Sequence, residues 1–164
     1  MQILSCMQRN STNSNYLKLS LFAILLVLLQ IFSNTFLFVP TFVGVFFSYI
    51  VINISKEEKF PYVLLCFLYL SFYELNKGFF LFSYAVLFIL YYYLFDEKIR
   101  SSFKCKNCII FIYIVVAYIG HFFINSLFAY ILNQQFPSVS SEYIYYIAFD
   151  FIVSLFVFRR NFEN

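Results

Sequence analysis

The chain has 164 residues, of which 63% are hydrophobic and 12% are charged, and its mean hydropathy is +0.82. This balance excludes an ordinary soluble domain and predicts an all-α, polytopic membrane protein. The polar stretches are too short for a separate soluble domain of normal size. The formal net charge of +3 is accounted for by the topology below, so we predict membrane lipid and no nucleic acid as a partner.

Six apolar segments follow one another and are expected to be about six transmembrane helices. The first, 19–39, is long enough to span a hydrocarbon core of about 30 Å. A signal peptide is the alternative, but the run is too long and no convincing cleavage site follows it. Pro40 breaks the run and is well placed for the first turn of the second segment, 41–54. The remaining segments are 61–75, 79–95, 109–132 and 143–158.

Three of these segments, 41–54, 61–75 and 143–158, are near or below the normal spanning length. We expect them to recruit flanking residues, thin the bilayer or remain partly re-entrant. Their boundaries are the least well defined by the sequence.

Basic residues lie almost entirely on one side of this arrangement. Of the eleven Lys and Arg residues, Lys77 alone falls in the gaps assigned to the outside. Short loops rich in Lys and Arg stay cytoplasmic, so both termini, including the polar tail 1–18 and the tail 159–164, are predicted to be cytoplasmic. The ten residues on the cytoplasmic side are Arg9, Lys18, Lys56, Lys59, Lys98, Arg100, Lys104, Lys106, Arg159 and Arg160.

Polar residues inside the last two segments predict a seam between two antiparallel helices. Asp150 and His121 lie near the middles of their segments and should reach similar depth, with Asn125 one turn from His121. These three residues are expected to satisfy one another and hold the helices in register; a proton or substrate pathway is the alternative. The predicted seam consists of Tyr118, His121, Asn125, Tyr146, Asp150 and Ser154.

Cysteines and catalytic residue types give no firm site. Cys105 and Cys108 form a CxxC pair on the predicted cytoplasmic side, where thiols normally stay reduced. One pair supplies half of a zinc site, so two juxtamembrane thiols are the simpler interpretation, with a zinc site shared across a dimer as the alternative. Because no catalytic constellation or phosphate-binding loop is present, we predict no enzyme activity and no cofactor.

The junction between the third and fourth segments carries a family resemblance. Glu74 stands at the outer end of the third segment, where we expect water or headgroups to solvate it, and Gly78 follows. The stretch 71–84, SFYELNKGFFLFSY, resembles the corresponding junction of MreD, the rod-shape-determining membrane protein. There an acidic residue ends one helix, and a glycine and then a small or polar residue open the next. Ser71 and Phe72 depart from the glycine-rich approach of that family, and the acid here is Glu rather than Asp.

The resemblance implies a function that composition alone does not. An MreD-like protein is a non-enzymatic, multi-pass scaffold of the bacterial cytoplasmic membrane, a partner of MreC-like and other membrane proteins of the cell-elongation machinery. The alternative is a small-solute transporter or a membrane substrate-binding subunit that resembles the S components of energy-coupling-factor transporters. A transporter should have a polar cavity lined by Asp150, His121 or Glu74, whereas a scaffold should have a filled interior.

Overall fold

The computed structural model describes the backbone of residues 2–36, 39–103, 105–137 and 142–159, and the side chains of these except 2–15, 100, 106, 142 and 159. The described ranges form six helices and contain no strand, which confirms the predicted all-α class. Parts of the topology prediction lie outside the described residues. These are the loop 138–141, the tail 160–164 and the side chains of Arg9, Arg100, Lys104, Lys106, Arg159 and Arg160.

The first two helices differ from the prediction at their N-terminal ends. Helix α1 (Gln2–Thr35) includes all but the first residue of the predicted polar tail 1–18. The helix is uninterrupted there because no proline or glycine precedes Pro40. Helix α2 (Val43–Asn53) begins beyond Pro40 and not with it, and its N-cap residue Phe42 has a left-handed φ of 52°.

The next helix pair is joined at the predicted junction. A 3₁₀ turn (Glu57–Lys59) leads into α3 (Phe60–Lys77), which has Pro61 in its first turn, where the missing N–H costs nothing. Helix α4 covers 83–102. It consists of Ser83–Tyr91, a π-helical turn at Tyr92–Asp96, and Glu97–Ser102.

Helix α4 corrects the prediction for 79–95 at both ends. It starts later because the chain at 79–82 bends around a buried carboxylate, described below. It continues past 95 because nothing in the sequence that follows breaks a helix before Ser102. The stretch 96–102, expected to be part of a cytoplasmic loop, is therefore helical.

The last two helices lie close to the predicted segments 109–132 and 143–158. Helix α5 covers 106–131 and is made of Lys106–Val115, a π-helical turn at Val116–Gly120, and His121–Ile131. Helix α6 is Glu142–Arg159.

Helix α2 forms the centre of the bundle. Nine of its eleven residues are buried, and it packs against α3, α5 and α6, while α1 packs against α3. Its first turn lies beside Tyr118 and Asp150, which stand halfway along α5 and α6. Because α2 is only about 16 Å long, it runs from the middle of the bundle to one end.

Two helical stretches, Tyr16–Thr35 and Asn107–Ile131, are long and apolar enough to cross a membrane, and two further apolar helices, Val43–Asn53 and Tyr143–Phe158, are shorter. The first stretch is not a buried core helix. Leu21 and Ile24, for example, are 65% and 60% exposed.

Candidate functional site: two buried carboxylates at helix N-termini

Glu74 and Gly78 form the corner between α3 and α4. Gly78 has a left-handed φ of 71°, and its N–H points to the carbonyl of Leu75, while the N–H of Phe79 donates to the carbonyl of Glu74 at 2.9 Å. This is the Schellman arrangement, in which a glycine that tolerates positive φ ends a helix and satisfies its last carbonyls. The backbone conformation at residue 78 thus favours glycine.

The carboxylate of Glu74 caps the N-terminus of α4. One oxygen accepts from the N–H of Phe82 at 2.7 Å, and the other from the N–H of Tyr84 and the hydroxyl of Ser83, both at 2.6 Å. A negative charge at this end of a helix is stabilised by the unpaired N–H groups and the macrodipole. Glu74 is fully buried, so our expectation that water or headgroups solvate it was wrong. We call this arrangement the Glu74 cap.

Two residues of α5 hold the same corner. The Asn125 side-chain oxygen accepts from the N–H of Phe80 at 2.9 Å, and its Nδ2 lies 3.0 Å from both Ser83 Oγ and His121 Nε2. The His121 ring stacks on Tyr84, with centroids 3.8 Å apart, and its Nε2 lies 3.6 Å from Glu74 Oε1. The corner is therefore fixed to α5 by hydrogen bonds and ring stacking.

Asp150 supplies the second cap, at the N-terminus of α2. Its Oδ2 accepts from the N–H of Gly44 and from the hydroxyl of Tyr118, both at 2.8 Å. Its Oδ1 has no hydrogen-bond partner among the described residues, and neither has the hydroxyl of Ser154, one turn further along α6. Both residues are fully buried. We call this arrangement the Asp150 cap.

Close packing at the Asp150 cap requires a glycine on α2. A Cβ at Gly44 would lie 2.8 Å from Cγ2 of Ile114 and 2.9 Å from Oδ2 of Asp150. At these distances an added Cβ would force the Ile114 or Asp150 side chain to shift, so the glycine allows α2 to approach α5 and α6 this closely.

The predicted polar seam is divided between the two caps. Tyr118 and Asp150 meet at the N-terminus of α2, whereas His121 and Asn125 join Glu74 and Ser83 at α4. Of the expected mutual contacts among Asp150, His121 and Asn125, the one between His121 and Asn125 is present at 3.0 Å. Asp150 does not join it, because its carboxylate caps α2 while that of Glu74 caps α4. Tyr146 and Ser154 are buried on α6.

Sequence reasoning missed three further positions, two polar residues and a glycine. Ser83 was within the quoted junction but was given no partner. Gly44 has a signal in the sequence, a lone glycine inside an apolar segment, which often marks a close approach. Asp96 was assigned to a cytoplasmic loop, but it is 6% exposed and accepts a hydrogen bond from the hydroxyl of Tyr113 at 3.0 Å.

The Glu74 cap holds helices together, and its Ser83, His121 and Glu74 side chains are not arranged for nucleophilic catalysis. Ser83, His121 and Glu74 are residue types that hydrolases use, but Ser83 donates to the carboxylate of Glu74, and not to His121 as an activated nucleophile would. All three side chains are buried. In the described ranges, no three His, Cys, Asp or Glu side chains come together as metal ligands.

The CxxC pair lies at the start of α5. Both thiols are free and exposed. The hydrogen bond between the two side chains lowers the pKa of the Cys105 thiol below its usual value. Cys105 is thus the more readily ionised thiol of this solvent-exposed turn.

Three cavities are lined by described residues, and none of these three is lined by Glu74, His121 or Asp150. One is an apolar groove of about 350 Å³ between α1 and α3. A second, of about 830 Å³, lies where α1 meets the end of α2 and the start of α3. The third, which we call the corner pocket, measures about 240 Å³ and is lined by Lys77, Gly78, Phe79, Phe80, Asn125, Gln134, Gln135 and Pro137.

Comparison of the chain with protein-family models, with curated proteins and with solved structures found no match.

Proposed function

We propose that the chain is a multi-pass protein of the bacterial cytoplasmic membrane, with six membrane segments and both termini on the cytoplasmic side. The distribution of basic residues supports this topology. So does the large apolar surface of the outer helices, which soluble proteins rarely expose. On α6, Ile144 and Phe156 are 76% and 74% exposed at opposite ends of the helix.

Helix α2 completes the topology in an unusual way. Its length of about 16 Å covers half of a bilayer core, and its N-terminus lies at mid-height beside Asp150. Residues 39–42, which precede α2 without helical structure, continue this second crossing. Irregular backbone at membrane depth is tolerated where protein surrounds it, and Pro40 and Thr41 are buried.

Single cysteines test this topology. Ser101 is predicted to be cytoplasmic and Gln134 to be outside. Introduced one at a time into a chain without native cysteines, they should react with an impermeant maleimide from opposite faces. Labelling of both from the same face would reject the six-segment arrangement.

Within this topology we propose an MreD-like, non-enzymatic scaffold of the cell-elongation machinery. The observation that carries the proposal is the corner at Glu74–Gly78, a rigid turn held by the Glu74 cap and by Asn125. It presents the corner pocket at the outer face of the bundle, where an MreC-like partner could bind. Glu74 itself is buried, so its role in the scaffold is to shape the corner, and the contact surface is formed by Lys77, Phe80 and Gln135.

The positions of the three cavities favour a scaffold over a transporter. A transporter needs a cavity that reaches its polar groups from one face, and the three cavities above do not reach Asp150 or His121. A scaffold needs exposed helix faces and a stable shape instead.

Depletion in the source cell tests the scaffold. Loss of the protein should round up elongated cells, and purification in mild detergent should recover an MreC-like membrane protein. Lys77→Glu should reduce that recovery because it reverses the charge beside the corner pocket. Lys56→Glu, an equal charge change on the opposite face, should not. Normal cell shape after complete loss, or equal recovery with Lys77→Glu and Lys56→Glu, contradicts the proposal.

One observation favours the alternative of a small-solute transporter. The N-terminus of α2 lies at mid-height next to a buried carboxylate, and interrupted helices of this kind form binding sites in many transporters. Under that alternative, Asp150→Asn would abolish uptake of one nutrient while protein levels in the membrane stay normal. The scaffold proposal expects no uptake defect from this substitution.

A further inference from the structure

The second cavity, at the cytoplasmic end of the bundle, carries two lysines from different helices. Lys18 projects from α1 and Lys59 from the turn before α3, and both line the 830 Å³ cleft. Neither lysine has an ion-pair partner among the described residues. Glu58 also lines the cleft, so its charged lining carries a net charge of about +1 at neutral pH.

The rest of the lining is amphipathic. Leu19 and Pro61 contribute apolar surface, and Tyr16, Tyr49 and Tyr62 contribute rings with a polar tip. Tyrosines favour the depth at which headgroups meet acyl chains. On α1, the polar stretch ends at Lys18 and the apolar run begins at Leu19, so the cleft lies at this boundary.

We propose that this Lys18–Lys59 cleft binds the phosphate headgroup of an anionic phospholipid of the cytoplasmic leaflet. The two ammonium groups face the phosphodiester, the tyrosines surround the glycerol region, and the acyl chains continue along the apolar surface of α1. Basic pockets between helices on the cytoplasmic side are suited to such headgroups. The inference rests on the proposed membrane topology but not on the proposed scaffold role.

The apolar part of the lining favours a lipid over a soluble anion. A soluble phosphate would gain nothing from Leu19 and Pro61, whereas a lipid buries its glycerol and upper acyl carbons against them. The lysine stems can lie along the apolar wall while their ammonium groups stay at the headgroup level.

Native mass spectrometry of the purified full-length chain, released from mild detergent, tests this proposal. Phosphatidylglycerol and phosphatidylcholine of equal chain length are added separately, and bound lipid is counted. Phosphatidylglycerol should bind in preference to phosphatidylcholine. Lys18→Gln combined with Lys59→Gln should lower phosphatidylglycerol binding about tenfold, because each lysine near an anionic headgroup contributes a few-fold in affinity.

Matched variants separate the cleft from general electrostatics. Lys56→Gln combined with Lys98→Gln removes the same charge from exposed positions outside the cleft and should leave binding within about twofold of the unmodified chain. Glu58→Gln, which removes the negative charge from the cleft, should increase binding. Equal losses in both double variants would overturn the proposal.

Glycerol 3-phosphate distinguishes a lipid from its soluble headgroup. Because it lacks acyl chains, it should not displace phosphatidylglycerol at equal concentration; displacement would show that a soluble phosphate is the ligand and would overturn the lipid assignment. Absence of any preference for phosphatidylglycerol would overturn it too. These results do not depend on cell shape or on an MreC-like partner, so failure here and failure of the scaffold proposal are distinguishable.

Discussion

Helices α2 and α4 begin in the same way inside the bundle, and a comparison of their caps explains much of the fold. Each has a left-handed phenylalanine as its N-cap residue, Phe42 with φ 52° and Phe82 with φ 66°, and neither makes a side-chain cap of its own. Phenylalanine has no oxygen with which to satisfy the first N–H groups. In both helices a carboxylate from another helix does so, Asp150 for α2 and Glu74 for α4.

The two caps differ in distance along the chain and in how fully each carboxylate is used. Glu74 lies eight to ten residues from its partners on α4, and both of its oxygens accept hydrogen bonds. Asp150 lies 106 residues from Gly44, and only one of its oxygens has a partner in the described part of the chain.

This difference assigns the caps different roles. The Glu74 cap closes a hairpin of consecutive helices at a small cost in loop entropy, so it can form as soon as α3 and α4 meet. The Asp150 cap joins the first and last parts of the bundle and cannot form before α6 is in place. Glu74 therefore defines a local corner, and Asp150 fixes the tertiary arrangement.

The largest expected effect comes from replacing the Glu74 carboxylate with an apolar group. Glu74→Leu leaves two N–H groups and the Ser83 hydroxyl without their acceptor and should lower the free energy of unfolding by about 3–5 kcal/mol. Asp150→Leu leaves one N–H and a hydroxyl that can rotate, and should cost about 2 kcal/mol.

Reaction of buried Cys66 with a fluorogenic maleimide during heating in detergent measures both variants. Cys66 is fully buried, and the other cysteines, Cys6, Cys105 and Cys108, are replaced by serine. Glu97→Leu, at an exposed position on α4, controls for the loss of charge and should change stability by less than about 0.5 kcal/mol. If Asp150→Leu lowers the free energy of unfolding more than Glu74→Leu does, the assignment of roles is wrong.

The next effect concerns the glycines beside the two caps. Gly44→Ala places a Cβ against Ile114 and the Asp150 carboxylate and should cost about 1–3 kcal/mol by overpacking. At Gly78 nothing lies within 4 Å of an added Cβ, so Gly78→Ala should cost only about 1 kcal/mol, for the left-handed φ. The same heating measurement ranks the two. A smaller cost for Gly44→Ala would show that α2 can move away from α6 freely.

Amide substitutions sharpen the comparison because they preserve size. Glu74→Gln must point its NH₂ group at a buried N–H, whichever way it turns, and should cost about 1–3 kcal/mol. Asp150→Asn can keep its oxygen on Gly44 and Tyr118 and turn its NH₂ to the side that lacks a partner. It should cost less than about 1 kcal/mol. Equal costs would mean that Asp150 Oδ1 has a partner, such as a bound water.

Much of the fold could be predicted from sequence because it depends on local patterns. Apolar runs identified the helices, and the segment predicted at 61–75 is α3, which begins one residue earlier and ends two residues later. The prediction also singled out Asp150 and His121, since ionisable groups within apolar segments are costly and are retained for a reason. It named Asn125 with them, and Glu74 only through the family resemblance.

The partners of those residues could not be predicted, because they depend on where helices begin. Pro40 suggested that α2 starts at residue 41, but the left-handed Phe42 delays the start and places the N–H of Gly44 within reach of Asp150. Helix α4 also starts later than predicted, at Ser83, because Phe82 has a left-handed φ. A pattern of apolar residues contains no information on either dihedral. The prediction therefore paired Asp150 with His121 from their similar depth alone. In the structure Asp150 instead binds the N-terminus of α2, and His121 lies beside Glu74 at the N-terminus of α4.

The finest comparison uses single hydroxyls, that of Ser83 in the Glu74 cap and that of Ser154, one turn beyond Asp150 on α6. Ser83 Oγ donates to Glu74 and lies within 3.0 Å of Asn125 Nδ2, so Ser83→Ala should lower the free energy of unfolding by about 1–2 kcal/mol. Ser154 Oγ has no partner among the described residues, and burial of an unpaired hydroxyl is unfavourable. Ser154→Ala should therefore be neutral or slightly stabilising. Both residues are fully buried, so the two variants remove the same atom from equally buried sites, and the heating measurement compares them directly. A cost for Ser154→Ala as large as that for Ser83→Ala would contradict this comparison, because it would mean that the Ser154 hydroxyl is hydrogen-bonded.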